Sequence, residues 1–468
     1  MSRTAASIIL AVILLAYLSI GAAYAINTPA WQAPDEPAHY NYVKFIAEKG
    51  ALPVLQPGDY DQTYNEQFTR TPQSVQTTSI DPLRYEFYAP PLYYLLAAPI
   101  YSLTGGWIIA LRLFSVVLGG LLVVVAYLIA AELFPSMWPI PWGTAAFVAF
   151  LPQHVAMLSA VNNDSLAELL IALIVWQAIR LFRSGQPSQR ALLILGLTLG
   201  LGLLTKATVY YTAVPVAAIA LILHAKKNSE SRIQSVAASR HAPVVRQFSL
   251  IFIPALSLGA LWWIRNLRVY GGLDVLGLAR HSAVVAGQPT TADWIATHGW
   301  SGLLNEGLTT TFHSFWGQFG WMAVPMPDST YLLLGLLSLA AFVGWVWRLI
   351  EMRAAEHRGR IRPQSGLLAL LALSTFVGFV WYNLTFVQHQ GRYLFPALIP
   401  IGLAFSLGLD QLLRKLKEIL IRLTSRGQRD LTPWLDEAHL LAFGLLFIFL
   451  ARLDVIALQR YILPTLTP

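Results

Sequence analysis

Hydrophobic positions fall in long runs separated by short polar segments along the whole chain. A helix needs about 20 apolar residues to cross the hydrocarbon of a bilayer, and by that rule the sequence predicts about eleven spans. They cover residues 8–25, 107–133, 142–159, 166–182, 191–204, 207–224, 248–264, 331–347, 367–386, 394–413 and 440–457. Two polar connections are long, 26–106 and 265–330. Structureless loops of that length are unusual and tend to be functional, so both are expected to carry short surface helices over a cavity. In the first, the stretch "WQAPDEPAHYNYVKF" reads as a short helix at the membrane surface. Asp35 is its N-cap or first-turn residue, Pro37 sits in its first turn, and Tyr40, Val43 and Ile46 have apolar spacing. His39 lies one turn from Asp35, on the same face.

Basic residues set the orientation. They gather in three connections, 225–247, 348–364 and 414–436, which the span count puts on one side. That side is cytoplasmic by the positive-inside rule, so the two long connections face outward. The first run is expected to be a retained anchor; the alternative is a signal peptide cleaved after Ala23-Tyr24-Ala25, although its n-region offers only Arg3.

Composition agrees with this picture: 56% of residues are hydrophobic and 12% charged, whereas a soluble domain has about a quarter charged. The net charge of +8 is spread over the basic connections with no basic domain to hold nucleic acid. The chain has no cysteine, which excludes disulfides, thiolate metal sites and a cysteine nucleophile. Residues 1–468 read as a single membrane domain with no repeat or appended soluble domain.

Polar residues at the outer ends of the spans are the candidate chemistry. Asp35 and Glu36 either cap the helix or act on a substrate. Asp164, in "NNDS", starts another helix. Lys206 interrupts two apolar runs, where a lysine is expensive unless it reaches water, headgroups or an anion. Arg112 lies about 8 Å inside its span by the helical rise and needs a partner or an anion. Arg265, His313 and Gln318 mark the second long connection, and His389, Gln390, Arg392 and Tyr393 lie in "FVQHQGRYLFPALIP". Carboxylates in the first connections and cations in the others suit handling of a hydroxyl or sugar beside a phosphate. A proton-coupled transporter would bury its acids near mid-membrane, and mid-helix acids are nearly absent here.

At "PDEPAHY", "PPLYYLL", "ALRLFSV", "NNDS", "LLTKAT" and "GRYLFPALIP" the sequence resembles the membrane glycosyltransferases of the C-type (GT-C) fold. These are the polyprenyl-phosphate-sugar users related to protein O-mannosyltransferases and lipid A aminoarabinose transferases. It looks most similar to a bacterial branch in which "DEPAH", "WWIRN", "FWGQFGW" and "QGRYLFP" recur. The resemblance implies an all-helical polytopic enzyme of a bacterial cytoplasmic membrane. It would move a hexosyl or pentosyl unit from a polyprenyl phosphate to a glycan, lipid or protein acceptor at the outer face, with inversion. Carried over residue by residue, Asp35 would be the base, assisted by Glu36, and Asp164 would orient acceptor, sugar or metal. Lys206, Arg265, Arg392 and Arg112 would hold the donor phosphate, and His39, Glu86, Tyr93, Gln318 and Tyr393 would line the substrate site. Relatives carry Lys or His directly before the Pro-Pro pair, where this chain has Tyr88 and Ala89, which leaves one phosphate contact open. No cofactor is certain. A divalent metal is possible, with Asp35, His39, Glu86, His154 and Asp164 as candidate ligands, though none of their spacings is a strong metal signature. The alternatives are a flippase or transporter of a lipid-linked saccharide and a noncatalytic assembly subunit.

Overall fold

The computed structural model describes residues 3–182, 187–232, 242–355, 363–424 and 432–467. Arg240, Arg358, Arg360, Arg362, Arg426 and Arg429, part of the basic-connection argument, lie outside the described residues. The described chain is helical apart from one two-stranded hairpin. In order, the helices are α1 (Arg3–Asn27), α2 (Glu36–Lys49), α3 (Gln62–Thr69), α4 (Pro72–Thr77), α5 (Leu92–Thr104), α6 (Ile108–Leu133), α7 (Pro139–Ala149), α8 (Pro152–Leu158), α9 (Asp164–Leu181) and α10 (Gln189–Leu203). They continue with α11 (Thr208–Arg232), α12 (Ala242–Tyr270), α13 (Leu278–Val284), α14 (Thr291–Trp316), α15 (Asp328–Ala355), α16 (Pro363–Asn383), α17 (Leu398–Thr424), α18 (Thr432–Ile456) and α19 (Leu463–Leu466). Short 3₁₀ turns stand at Tyr85–Tyr88 and Gly391–Ala397, and a π-helical turn at Ala457–Ile462. The hairpin pairs Gln318 with Pro325 and Phe319 with Val324.

Among the described residues, eight helices are long and apolar enough to cross a membrane, with α5 and α10 shorter apolar helices beside them. The expected eleven spans are therefore not all long helices, for local reasons. Pro152 lacks an N–H and clashes with a preceding turn, so the run 142–159 divides into α7 and α8. Helix α10 has only 15 residues, and α9 carries Asp164, Glu168 and Arg180 within its 18. The first long connection is not an open loop: it folds into α2 to α5.

Helices α6, α7 and α9 form the centre, buried nearly all round. A helix buried on every side has no water-facing stripe, which is why α6 and α7 read as unbroken apolar runs. Helices α1, α11, α16, α17 and α18 surround them, and α10 packs on α12 and α15 on α17. Both outer pairs close on small residues. A methyl at Gly344 would meet the Gly408 carbonyl and one at Gly408 the Ala341 carbonyl, while Gly196 sits against the Ile251 carbonyl. Without a hydrophobic force between helices in lipid, such close backbone approach supplies the packing that holds them.

Candidate active site at the ends of the spans

Three helices start near one charged cluster. Asp35 precedes α2, Asp164 opens α9, Lys206 precedes α11, Glu86 sits in the first 3₁₀ turn and Arg392 in the second. Pro37 stands in the first turn of α2, Pro91 caps α5 and Pro396 lies in the turn before α17, places where proline fixes φ and needs no N–H partner.

Asp35 is held at φ 67°, a left-handed conformation that aspartate tolerates better than most residues. The consequence is a change of direction. Its side chain does not cap α2; Oδ2 accepts a hydrogen bond from Arg392 Nη2 at 2.7 Å and Oδ1 accepts one from the Tyr85 hydroxyl at 3.0 Å. Arg392 is oriented by Gln390, whose Oε1 accepts from Nε at 2.7 Å, and it lies over the Tyr393 ring. Lys206 Nζ donates to Asp164 Oδ1 at 2.5 Å, both side chains being 28% exposed. The two ion pairs are thus reachable from outside yet partly desolvated, which strengthens charge-assisted bonds.

His39 is buried against Tyr94, with Nδ1 2.8 Å from the Tyr94 hydroxyl. That hydroxyl also accepts from Asn163 Nδ2 at 3.2 Å. Burial lowers the His39 pKa to about 3 despite Asp35 nearby, so the imidazole is neutral. For Asp35, burial alone would raise the carboxyl, but the Arg392 guanidinium and the Tyr85 hydroxyl outweigh it and hold it below its ordinary value. Glu86 moves the other way. Burial first, then the Asp35 charge, raise it to about 7, with Lys206 and Arg392 opposing. Two carboxyl groups in one cluster therefore have separated acidities, the arrangement that lets one stay ionised while the other carries a proton near neutrality.

The other sequence candidates stand apart from this cluster. Arg112 and Glu36 form a sealed pair, 2% and 0% exposed. Arg112 Nε and Nη2 donate to the two Glu36 oxygens at 2.7 and 2.6 Å, and the remaining donors reach the carbonyls of Ala25, Thr28 and Pro29. Five N–H groups meet five acceptors, while Glu36 also accepts from the backbone of Trp31 and Val161. Arg112 therefore has its partner and no N–H left for a phosphate. Tyr93 is in the core, its hydroxyl bonded to Ser115 and to the Asn162 N–H; its neighbour Tyr94 is the one that reaches His39. Arg265 donates to the Pro53 carbonyl and to Asn266 and lies over Trp262. Gln318 is in the hairpin, donating to the Met322 carbonyl. Tyr85 and Tyr94 are residues of the cluster that their sequence context did not distinguish.

The proposed metal set does not assemble. His154 Nε2 lies 2.9 Å from Glu168 and its Nδ1 2.8 Å from the Val148 carbonyl, inside the bundle. Among the described residues no three of His, Asp or Glu gather as a metal site, and both aspartates already hold a cation. The donor set does not fit a divalent ion.

A family model described as "Predicted membrane protein (DUF2142)" matches residues 48–400. The chain belongs to this family. The match begins after Asp35, so the family model itself does not reach the first acidic motif. No curated protein matches. Among solved structures, the oligosaccharyltransferase of Archaeoglobus fulgidus, tethered to an acceptor peptide containing an NVT sequon, is similar at 13% identity with a TM-score of 0.54. The similarity covers 97% of this chain and 55% of that one, so the chain spans about half the length of this relative. ArnT from Cupriavidus metallidurans bound to undecaprenyl phosphate is similar at 13% identity with a TM-score of 0.48, over 100% of this chain and 74% of that one. The C-type membrane glycosyltransferase fold implied by the sequence is the fold found.

Proposed function

We propose that the protein transfers a sugar from a polyprenyl-phosphate carrier to an acceptor at the outer face of a bacterial cytoplasmic membrane, with inversion at the anomeric carbon. The observation that carries this reading is the double ion pair at the span ends. Asp35 is on Arg392 and Asp164 on Lys206, with Glu86 and His39 close by. A lipid-borne phosphate can reach only the membrane surface, which is where these cations stand.

Sidedness has its own support. Helices α11, α15 and α17 each begin beside the site or its flanking hairpin and end in basic residues, at Lys226 and Lys227, Arg348 and Arg353, and Arg414 to Arg422. By the positive-inside rule those ends are cytoplasmic and the site is outside.

In the mechanism, the singly charged phosphodiester of the donor competes with the aspartates for Arg392 and Lys206, and the dianionic phosphate monoester that forms as the bond breaks competes more strongly. Losing its guanidinium partner, Asp35 becomes more basic and takes the proton of the acceptor's nucleophilic group. The acceptor atom forms its bond to the anomeric carbon from the face opposite the leaving group, the carbon–oxygen bond to phosphate breaks, and polyprenyl phosphate departs with the electron pair. Arg392 and Lys206 stabilise that charge where it develops. Asp164 and the neutral His39 position acceptor and sugar, and Glu86, carrying its proton near neutrality, keeps a third negative charge away from the phosphate. The Glu36–Arg112 pair fixes the end of α1 against α2 and α6 and takes no part in the chemistry.

The test is to supply the purified protein in lipid vesicles with radiolabelled polyprenyl-phosphate sugars and cell-envelope acceptors. Label transferred to an acceptor with inverted configuration supports the reading. Donor movement between leaflets without transfer would replace it with the flippase reading.

A further inference from the structure

Helix α14 turns three large apolar side chains outward: Trp300 is 67% exposed, Leu304 60% and Leu308 72%. At spacings of four they form one stripe, one face of the helix after the break at Gly299, where φ is 69°. The adjacent face is buried through Leu303 and Ser314, and the far face is polar and exposed at Asn305, Glu306 and Thr309. Isolated exposed leucines need no explanation, but a three-residue stripe bounded by a polar face does.

Three observations decide what covers it. First, depth: a Cβ on Gly335 would lie 3.7 Å from the Phe312 ring. Gly335 is seven residues into the membrane-crossing helix α15, which begins at Asp328, or about 10 Å below its end by the helical rise. Leu308 is one turn from Phe312. Second, attachment: at its other end Thr291 donates its backbone N–H to the Thr385 carbonyl, and Thr290 bridges to Phe386, just past the end of α16. The segment before Gly299 is thus tied to the end of α16, and the segment after it, which carries the stripe, is packed on α15. Third, continuity: the span surfaces that α14 contacts are themselves apolar and exposed, at Leu332, Leu333 and Leu336 of α15 and at Trp381 and Leu384 at the end of α16.

We propose that the Trp300–Leu304–Leu308 face of α14 is embedded in the bilayer, at the boundary of headgroups and acyl chains in the leaflet on the site's side. Its polar face looks to water, the disposition of an interfacial amphipathic helix, and Trp300 takes a belt position. The embedding has a consequence for the site. Gly391 N–H donates to Ser314 Oγ at 2.7 Å and Thr311 Oγ1 to the His389 carbonyl at 3.2 Å, so α14 sets the height of Arg392 relative to the membrane. The inference stands on packing and exposure and does not depend on the transfer reaction.

The chain has no cysteine, so single-cysteine variants of the full-length protein can be read directly. Leu304→Cys, Leu308→Cys, Asn305→Cys and Thr309→Cys are labelled with an environment-sensitive fluorophore and reconstituted into phosphatidylcholine–phosphatidylglycerol vesicles. Labels at 304 and 308 are expected to be blue-shifted and quenched several-fold more by acyl-chain nitroxide lipid than labels at 305 and 309, which iodide quenches instead. Equal iodide access at all four positions would overturn the proposal in favour of a face standing in water. Shielding of 304 and 308 from both quenchers would overturn it in favour of a protein covering the face, a second copy included.

Discussion

Asp35 and Glu36 are neighbours with opposite fates, and a single dihedral separates them. The left-handed φ of Asp35 turns its carboxylate toward Arg392, while Glu36, already in α2, points into the bundle at Arg112. A buried ion pair is weak support for stability while intact, but removing one partner strands a charge in a low-dielectric interior. Arg112→Met or Glu36→Gln is therefore expected to destabilise the protein by about 3–5 kcal/mol, seen as a large fall in the melting temperature of the detergent-solubilised protein. Arg112→Lys is expected to rescue little, because three ammonium donors cannot serve five acceptors in a fixed fork. His39 gives a pH signature. Its folded pKa is depressed to about 3 from an ordinary value near 6.5, so below 6.5 the unfolded chain binds the extra proton. Its contribution is complete above about 6.5 and is lost as pH falls toward 3. His39→Asn should flatten that part of a stability-against-pH curve; an unchanged slope would mean that the imidazole charges freely in the folded state.

At the scale of elements, long apolar helices were legible because composition alone specifies them: α1, α6, α11, α12 and α15 to α18 lie close to their expected positions. What composition cannot show is where an apolar run breaks or whether it reaches the full thickness. Pro152 divides one expected span, and α5, hidden in the first long connection, is apolar but only 13 residues. Burial was equally invisible. Asp35, His39, Asp164, Lys206 and Arg392 could be nominated from their places at span ends, and the fold brings them together. Arg112 and Tyr93 carry the same residue types in the same motifs, yet their partners, Glu36 and Ser115, are set by tertiary packing. Tyr85 and Tyr94 look like ordinary interfacial aromatics until the cluster is assembled. Glycine pairs are the clearest packing prediction. Gly408→Val inserts a branched side chain where the α15 backbone passes and should separate α15 from α17. The expected result is loss of the monodisperse peak in size-exclusion chromatography, while Gly444→Val, at an open position, leaves it unchanged.

Across the whole molecule the charges are sorted by depth and side. Basic residues end α11, α15 and α17 at one face, and the paired acids and bases of the cluster stand at the other ends of the spans. Among the described residues the centre around α6, α7 and α9 encloses two ion pairs, Arg112–Glu36 and His154–Glu168, in otherwise largely apolar packing. In the proposed reaction a phosphate-bearing lipid would dock at these cations, which the carboxylates neutralise in its absence. Donor and base would thereby be coupled, since the guanidinium proposed to hold phosphate is the one that bonds Asp35.

The most direct test of this account is to measure sugar transfer and donor binding together, in lipid vesicles, for the wild type and Asp35→Asn. Asparagine keeps the size and the tolerance for positive φ at this position but cannot accept the proton. Transfer is expected to fall by about 10²-fold or more, the usual worth of a positioned base, with donor affinity unchanged or tighter because Arg392 has lost its carboxylate competitor. Equal transfer rates for the two proteins would contradict it.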